Sequence, residues 1–199
     1  MSKITDMFLK RSFDIIISFS GLLLLWPIII ISILLMTLNT GKNGLFRQER
    51  IGLNGQKFFL YKVRTMKDIE NLNSFVTTSS DPRLTMLGKI LRIIKFDELP
   101  QLWNVLIGDM SMVGPRPEVE SYVKIIPGNL RSKILSIRPG ITGPASIKYR
   151  NEEIILATKK DPEKYNLNVI FPDKININID YLNNWSFLRD LYYIIRTII

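Results

Sequence analysis

The chain has 199 residues with no histidine and no cysteine, and its 27 lysines and arginines against 18 acidic residues give a formal charge of +9 at pH 7. That inventory removes disulfides, thiolate nucleophiles, imidazole bases, Ser-His-Asp triads and the usual Cys/His zinc sites. Chemistry is left to carboxylates, lysine, arginine, tyrosine, hydroxyls or a hard metal ion. The positive charge favours anionic partners: a phosphorylated substrate, an anionic membrane surface or nucleic acid.

The first element is a membrane segment. Residues 15–38 read IIISFSGLLLLWPIIIISILLMTL, and no charge falls between Asp14 and Lys42. As a helix this run reaches across the roughly 30 Å hydrocarbon core of a bilayer. It is too long for a signal peptide and no small-residue cleavage site follows it. Residues 1–40 are thus expected to be membrane-associated and 41–199 to form the rest of the protein. Pro27, after Trp26, removes a backbone hydrogen bond and predicts a kink. Basic residues stand on both sides of the run: Lys3, Lys10 and Arg11 before it, Lys42, Arg47 and Arg50 after it. The positive-inside rule therefore gives no direction, and a spanning helix and a re-entrant one remain equally open.

Next, LFRQERIGLNGQKFFLYKVRTM reads as a β-hairpin turning at Asn54-Gly55, a dipeptide suited to positive φ. Asp68 to Ser80 lacks an apolar period and reads as a loop. A helix is expected from about Arg83, with Leu84, Leu87, Leu91 and Ile94 on one side and Arg83, Lys89, Arg92 and Lys95 on the other. It leads into KFDELPQLW. There Asp97 reads either as the N-cap of a following helix or as half of a functional pair with Glu98. That helix is expected to place Leu99, Leu102, Trp103 and Leu106 on one face. A turn at Gly108-Asp109, a short strand, GPRPE at 114–118, one or two short helices, RPGITGP at 138–144 and a charged helix near 151–160 follow. The terminal YLNNWSFLRDLYYIIRTII puts Tyr181, Trp185, Leu188, Tyr192, Ile195 and Ile199 on one helical stripe. This stripe suits a core helix or an amphipathic helix in the lipid interface equally well. The fold class is α+β, with few strands and several short helices.

Three arginines sit where phosphate would be met. Arg92 precedes the Asp97-Glu98 pair at a junction of two helices, Arg116 is fixed between Pro115 and Pro117, and Arg138 precedes Pro139-Gly140. The planar fork of arginine donates two parallel hydrogen bonds to a phosphate. Carboxylates beside phosphate are repelled unless they serve it, either by holding Mg²⁺ or by attacking phosphorus.

Together, KRSFDIIISFSGLLLLWP, FRQERIGLNGQKFFLYKVRTM, FDELPQLWNVLIGDMSMVGPRP and RPGITG, in this order, resemble the bacterial sugar transferase family, the monotopic polyprenyl-phosphate phosphoglycosyltransferases. The match runs from about Lys10 to the C-terminus. The resemblance implies an enzyme that moves a sugar phosphate from a UDP-sugar to polyprenyl phosphate, typically undecaprenyl phosphate, releasing UMP in the first membrane step of glycoconjugate synthesis. It implies that Asp97 is the nucleophile of a covalent phosphosugar intermediate, that Glu98 completes the dyad and that both hold Mg²⁺. Arg92 and Arg116 take phosphate-binding roles, and Arg138, Lys62 and Arg64 are expected to contact the nucleotide diphosphate or lipid phosphate.

The resemblance also implies a re-entrant helix broken at Pro27, with Trp26 where many members have Ser, and an active site on the cytoplasmic face of the inner membrane. The opposing reading is a non-catalytic basic adaptor bound to anionic membrane lipid. A nucleic-acid role is set aside because no groove-reading motif is present. An oligomer is neither required nor excluded. Sugar choice is assigned to the loops 71–81 and 152–173, which carry no readable code.

Overall fold

The computed structural model describes residues 3–69 and 76–198. It is an α+β protein with one long helix laid against a domain of short elements. Helix α1, Lys3–Thr40, is followed by the antiparallel hairpin of β1 (Leu45–Ile51) and β2 (Lys57–Val63). Asn54 and Gly55 turn it with φ of 54° and 78°, as the dipeptide predicts. Helix α2 (Met86–Ile93), a 3₁₀ turn (Phe96–Glu98) and α3 (Gln101–Ile107) carry the DELPQ stretch. Strand β3 (Ser111–Val113), helices α4 (Glu120–Ile125) and α5 (Gly128–Ile134), and strand β4 (Gly140–Thr142) come next, with β3 and β4 paired in parallel. Helices α6 (Pro144–Lys148), α7 (Glu152–Ala157), α8 (Pro162–Tyr165), α9 (Phe171–Asn183) and α10 (Phe187–Ile198) complete the chain.

The stretch Thr5–Thr40 is long and apolar enough to cross a membrane. At about 1.5 Å per residue, the path along the axis of α1 is roughly 57 Å. Helical structure continues through Trp26 and Pro27, so the expected break is not a gap in the helix. A proline deprives only one carbonyl of its N–H partner, and membrane helices absorb that loss. Buried positions keep one phase across the proline: Asp14, Ser18, Ser32 and Met36 all lie on the face turned to the domain. Leu23, Leu24, Trp26, Ile31, Leu34 and Leu38 are exposed on the other side.

Polar contacts fasten α1 near its start. Lys10 Nζ donates to the Val113 carbonyl at 2.9 Å and to Asp190 Oδ2 at 2.5 Å. Asp190, almost fully buried, also accepts from the Tyr181 hydroxyl at 2.7 Å and Trp185 Nε1 at 3.1 Å. Arg11 donates to the carbonyls of Val105 and Leu106 at 2.7 and 2.9 Å, satisfying the open C-terminal end of α3. The Met112 amide donates to Asp14 at 3.0 Å. At the far end, Gly41 in the left-handed region returns its N–H to the Thr37 carbonyl, and the Gly44 amide donates to the Thr37 hydroxyl at 2.9 Å. Both ends of α1 are therefore held by the same domain.

The domain core is built from three small clusters: Leu60, Val105 and Met110 under the hairpin; Val76, Leu156 and Ile170; and Ile126, Phe171 and Ile175. Three sequence expectations shift. Helix α2 starts at Met86 because Thr85 caps it, its hydroxyl accepting from the Gly88 amide, while Leu84 pairs with Met66 in an isolated bridge. The C-terminal stripe is two helices separated at 184–186, so Tyr181 is buried in α9 whereas Leu188, Tyr192 and Ile195 are exposed on α10. Ile199 lies outside the described residues. In α3, Trp103 is half exposed and the buried positions are Gln101, Leu102, Asn104 and Val105.

Removing Asp190 leaves the Lys10 ammonium and the Tyr181 hydroxyl without their buried acceptor. Asp190→Ala should destabilise the chain by roughly 3 kcal/mol, lowering the melting temperature in detergent by about 6–12 °C. Lys124→Ala, at the exposed Lys124–Glu120 pair, should leave the melting temperature essentially unchanged.

Candidate active site

The site forms where the hairpin meets the 3₁₀ turn. Pairing of Phe46 with Lys62, Gln48 with Leu60 and Arg50 with Phe58 puts these six side chains on one face of the hairpin. That face also carries the core residue Leu60, so Lys62 and Arg50 are turned inward among apolar neighbours. Helix α2 ends as Lys95 adopts φ 62° and ψ 19°. This left-handed conformation costs a lysine about 1–2 kcal/mol and redirects the chain so that Asp97 enters the interior.

Asp97 is only 7% exposed, and its Oδ1 has no hydrogen-bond partner among the described residues. The helix N-cap position is taken by Pro100, with no side-chain cap, so Asp97 does not cap α3. Glu98 is engaged instead: its Oε1 accepts from Arg116 at 3.0 Å and from Lys62 at 3.4 Å. Arg116 is delivered by the GPRP turn. The Gly114 amide donates to the Thr142 carbonyl at 2.9 Å and the Gly140 amide to the Pro115 carbonyl at 2.8 Å. A Cβ on Gly143 would lie 2.4 Å from the Gly114 carbonyl oxygen, so only glycine permits that approach.

The two carboxyls are pushed in opposite directions. Burial, and then the neighbouring Glu98 charge, raise Asp97 above the usual carboxylate range. Burial opposes ionisation of Glu98 too, but Arg116, Lys62 and Lys95 together hold it well below that range. Burial and the Arg116 charge bring Lys62 down to about 8. Arg116 is raised by Glu98. Arg50 is lowered by burial, with Arg116 adding to the effect; it donates to the Pro117 carbonyl at 3.3 Å and to Gln48 at 2.7 Å. The result is one carboxylate neutralised by cations beside one that is buried and unpaired.

The structure thus brings Asp97, Glu98, Lys62 and Arg116 together. Arg92 is close enough to favour the Asp97 charge, yet its direct partners are the Thr65 hydroxyl at 2.9 Å and Glu153 at 2.7 Å. Arg64 donates to the Asn43 carbonyl at 2.9 Å and lies 5.1 Å from the Phe46 ring centroid. Arg138 donates to the Gly108 carbonyl at 2.7 Å, at the opposite end of α3 from Asp97. Trp26 and Pro27 lie mid-way along α1, both exposed. Among the described residues no group of three or more acidic side chains forms a metal cage. Asp97 and Glu98 still suit Mg²⁺, which takes hard oxygen ligands from one or two carboxylates and completes its shell with phosphate and water; the unpartnered Oδ1 of Asp97 is such a donor.

The bacterial sugar transferase family model matches residues 5–199. The chain belongs to the bacterial sugar transferase family. It is 35% identical over 192 residues to the uncharacterized sugar transferase EpsL of Bacillus subtilis, covering 96% of this chain and 86% of that protein. It is 32% identical over 205 residues to the exopolysaccharide production protein ExoY of Sinorhizobium fredii, covering 95% and 83%. It is 38% identical over 198 residues to the UDP-glucose:undecaprenyl-phosphate glucose-1-phosphate transferase of Escherichia coli, covering 96% of this chain and 39% of that longer protein.

Sequence reasoning overlooked three residues of this sugar transferase's site. Arg50 was visible in the alternation of Phe46, Gln48 and Arg50, which places it on the inward face. Gln101 is almost fully buried at the start of α3, four residues after Asp97, and a polar residue beside an apolar stripe was the only signal. Glu153 carried no signal, since its meeting with Arg92 depends on the packing of α7.

Lys62 should lose its proton near pH 8, well below an ordinary lysine, because its charged form is buried beside Arg116. Lysine ¹³Cε NMR should find that titration, and Glu98→Gln, which removes the opposing negative charge, should move it lower still. A midpoint near that of free lysine would contradict the buried placement.

Proposed function

We propose that this sugar transferase moves a sugar-1-phosphate from a UDP-sugar to undecaprenyl or a similar polyprenyl phosphate, with release of UMP, through a covalent intermediate on Asp97. The observation that carries this reading is the division between the two carboxyls. Glu98 is compensated by Arg116 and Lys62, while Asp97 is buried with an unpartnered oxygen. A desolvated carboxylate is a stronger nucleophile than a hydrated one, and the cations beside it favour an approaching diphosphate.

In the first step an Asp97 oxygen bonds to the sugar-bearing phosphorus and the phosphoanhydride bond breaks, its electron pair leaving with UMP. In the second, an oxygen of polyprenyl phosphate attacks the same phosphorus. The acyl-phosphate bond breaks and Asp97 is restored as a carboxylate. Arg116 and Lys62 offset charge that builds on the phosphoryl oxygens. Arg92 binds phosphate once released from Glu153. Asp97 and Glu98 would hold Mg²⁺, which when bound would supply neutralisation of phosphate charge. The names of the Escherichia coli relative and of a putative undecaprenyl-phosphate N-acetylgalactosaminyl 1-phosphate transferase of Bacillus subtilis, 43% identical over 125 residues, support the substrate classes.

The membrane arrangement follows the same reading. Lys10, Arg11 and Asp14 fasten one end of α1 to the domain, and Met36 and Thr37 lie against it at the other. A helix whose two ends are held by one water-facing unit keeps both on one side, which supports a re-entrant course with the site on the cytoplasmic face of the inner membrane. Leu188, Tyr192 and Ile195, exposed on α10 with Arg189 and Arg196 nearby, suit an amphipathic helix at the lipid interface.

Purified protein given Mg²⁺, undecaprenyl phosphate and a panel of UDP-sugars should release UMP with one or more of them. Asp97→Asn should reduce that release by at least about 1,000-fold. With a sugar-labelled donor and no acceptor, label should remain on the wild-type chain and be absent from Asp97→Asn. Release of UDP would instead indicate ordinary glycosyl transfer, and an Asp97→Asn chain that functions normally in cells would favour the adaptor. For topology, Ser2→Cys and Ile199→Cys should both react with an impermeant thiol reagent only from the cytoplasmic side; labelling of Ser2→Cys from outside would overturn the re-entrant course.

A further inference from the structure

The turn that carries Arg116 is short of hydrogen-bond donors of its own. Pro115 and Pro117 have no N–H, and both are buried, so their carbonyls need donors from other parts of the chain. On one flank the Gly140 amide supplies the Pro115 carbonyl at 2.8 Å. On the other flank the donors come from the end of β1. The Ile51 amide donates to the Glu118 carbonyl at 3.0 Å, and Arg50 Nη1 donates to the Pro117 carbonyl at 3.3 Å. Two of these three donors are backbone amides; the third is a side chain, bonded to the residue directly after Arg116.

Arg50 is itself held in place. Gln48 and Arg50 are two apart in β1 and share its inward face. Gln48 Oε1 accepts from Arg50 Nη2 at 2.7 Å while Nη1 turns to Pro117, so both ends of the planar fork are taken. Glu118 Oε2, 4.0 Å from Nη1, offsets part of the charge. Arg50 Nε is buried without a partner among the described residues, an unfavourable state that the reach to Gln48 and Pro117 leaves in place. Burial lowers the Arg50 pKa, and the charge of Arg116 lowers it further, so the two guanidiniums lie near enough to repel. That repulsion favours the extended Arg116 that meets Glu98 Oε1 at 3.0 Å.

We infer that Arg50 is the positioning residue of Arg116: with its own plane set by Gln48, it bonds the Pro117 carbonyl and so holds the turn at the place from which the Arg116 guanidinium reaches Glu98. The side chain of Arg116 is 41% exposed, too open for packing alone to order it, and its aim is therefore set by the backbone beneath it. Arg50 touches no substrate in this role; it acts through Arg116. The effect on turnover rests on the transfer reading, but the placement of Arg116 does not.

The test uses the full chain in detergent or nanodiscs. The Nε–Hε NMR signal of Arg116, assigned by its loss in Arg116→Lys, should shift in Arg50→Met. It should shift also in Gln48→Leu, which keeps the Arg50 charge but frees one end of its fork. Functionally, Arg50→Met should lower the single-turnover rate of UMP release about 10–100-fold, the scale expected of a misplaced group, with KM for the UDP-sugar within about threefold of wild type. Arg50→Lys, which can still donate to one of the two acceptors, should recover part of that rate. An Arg116 signal unmoved in both Arg50→Met and Gln48→Leu overturns the inference. So does a raised KM at unchanged rate, which would assign Arg50 to substrate binding, and so does an unchanged rate in Arg50→Met. If Arg50→Met does not fold, the Arg116 signal in Gln48→Leu decides. Should wild-type protein release no UMP from any donor, the transfer reading fails, while the same signal still decides the placement.

Discussion

The clamp between the start of α1 and the domain determines how everything else can be arranged. An apolar helix has no hydrophobic reason to leave lipid for a polar surface, so polar groups must hold it there. Lys10 does so through Asp190 and the Val113 carbonyl, Asp14 through the Met112 amide, and Arg11 through the last carbonyls of α3. The last of these couples membrane to chemistry. Helix α3 has only two turns and begins directly after the 3₁₀ turn holding Asp97, so the residue that satisfies its free end also steadies the carboxylate at its start. The anchor of α1 and the buried Asp97 are thus parts of one connected arrangement.

The charges of the site are arranged as economically. Lys62 comes from the inward face of a hairpin, Arg116 from a turn that three glycines allow to pack closely, and Glu98 from the 3₁₀ turn. Their convergence holds Glu98 in a strongly positive field, while at Asp97 the weaker pull of Lys62, Arg92 and Lys95 is outweighed by burial and by the Glu98 charge. The left-handed Lys95 is the hinge of this geometry. Without that reversal α2 would continue and Asp97 would follow its exposed side.

Much of this was legible in the sequence. The long apolar segment and the Asn54-Gly55 hairpin can be read from residue type and spacing alone, whereas joining Asp97 and Glu98 with Arg116 rests on the resemblance of the ordered motifs. Other features could not be. The β3–β4 pair joins two three-residue strands across 26 intervening residues, too short for any periodic signal and too distant for a local one. The interruption at 184–186 lacks a proline or glycine to announce it. In α3 the stripe of Leu99, Leu102, Trp103 and Leu106 is only partly the buried one, since Leu102 is buried and the other three are not. Here Trp103 and Ile107 are exposed, and the interior side holds Gln101 and Asn104.

The pairing of Arg92 with Glu153 has a consequence for the traffic of ligands. Glu153 belongs to the same chain, so its carboxylate meets the guanidinium at the high effective concentration of an intramolecular partner. An anion arriving at Arg92 has to compete with it. Glu153 is therefore a built-in competitor at Arg92, which any anion binding to that guanidinium has to displace.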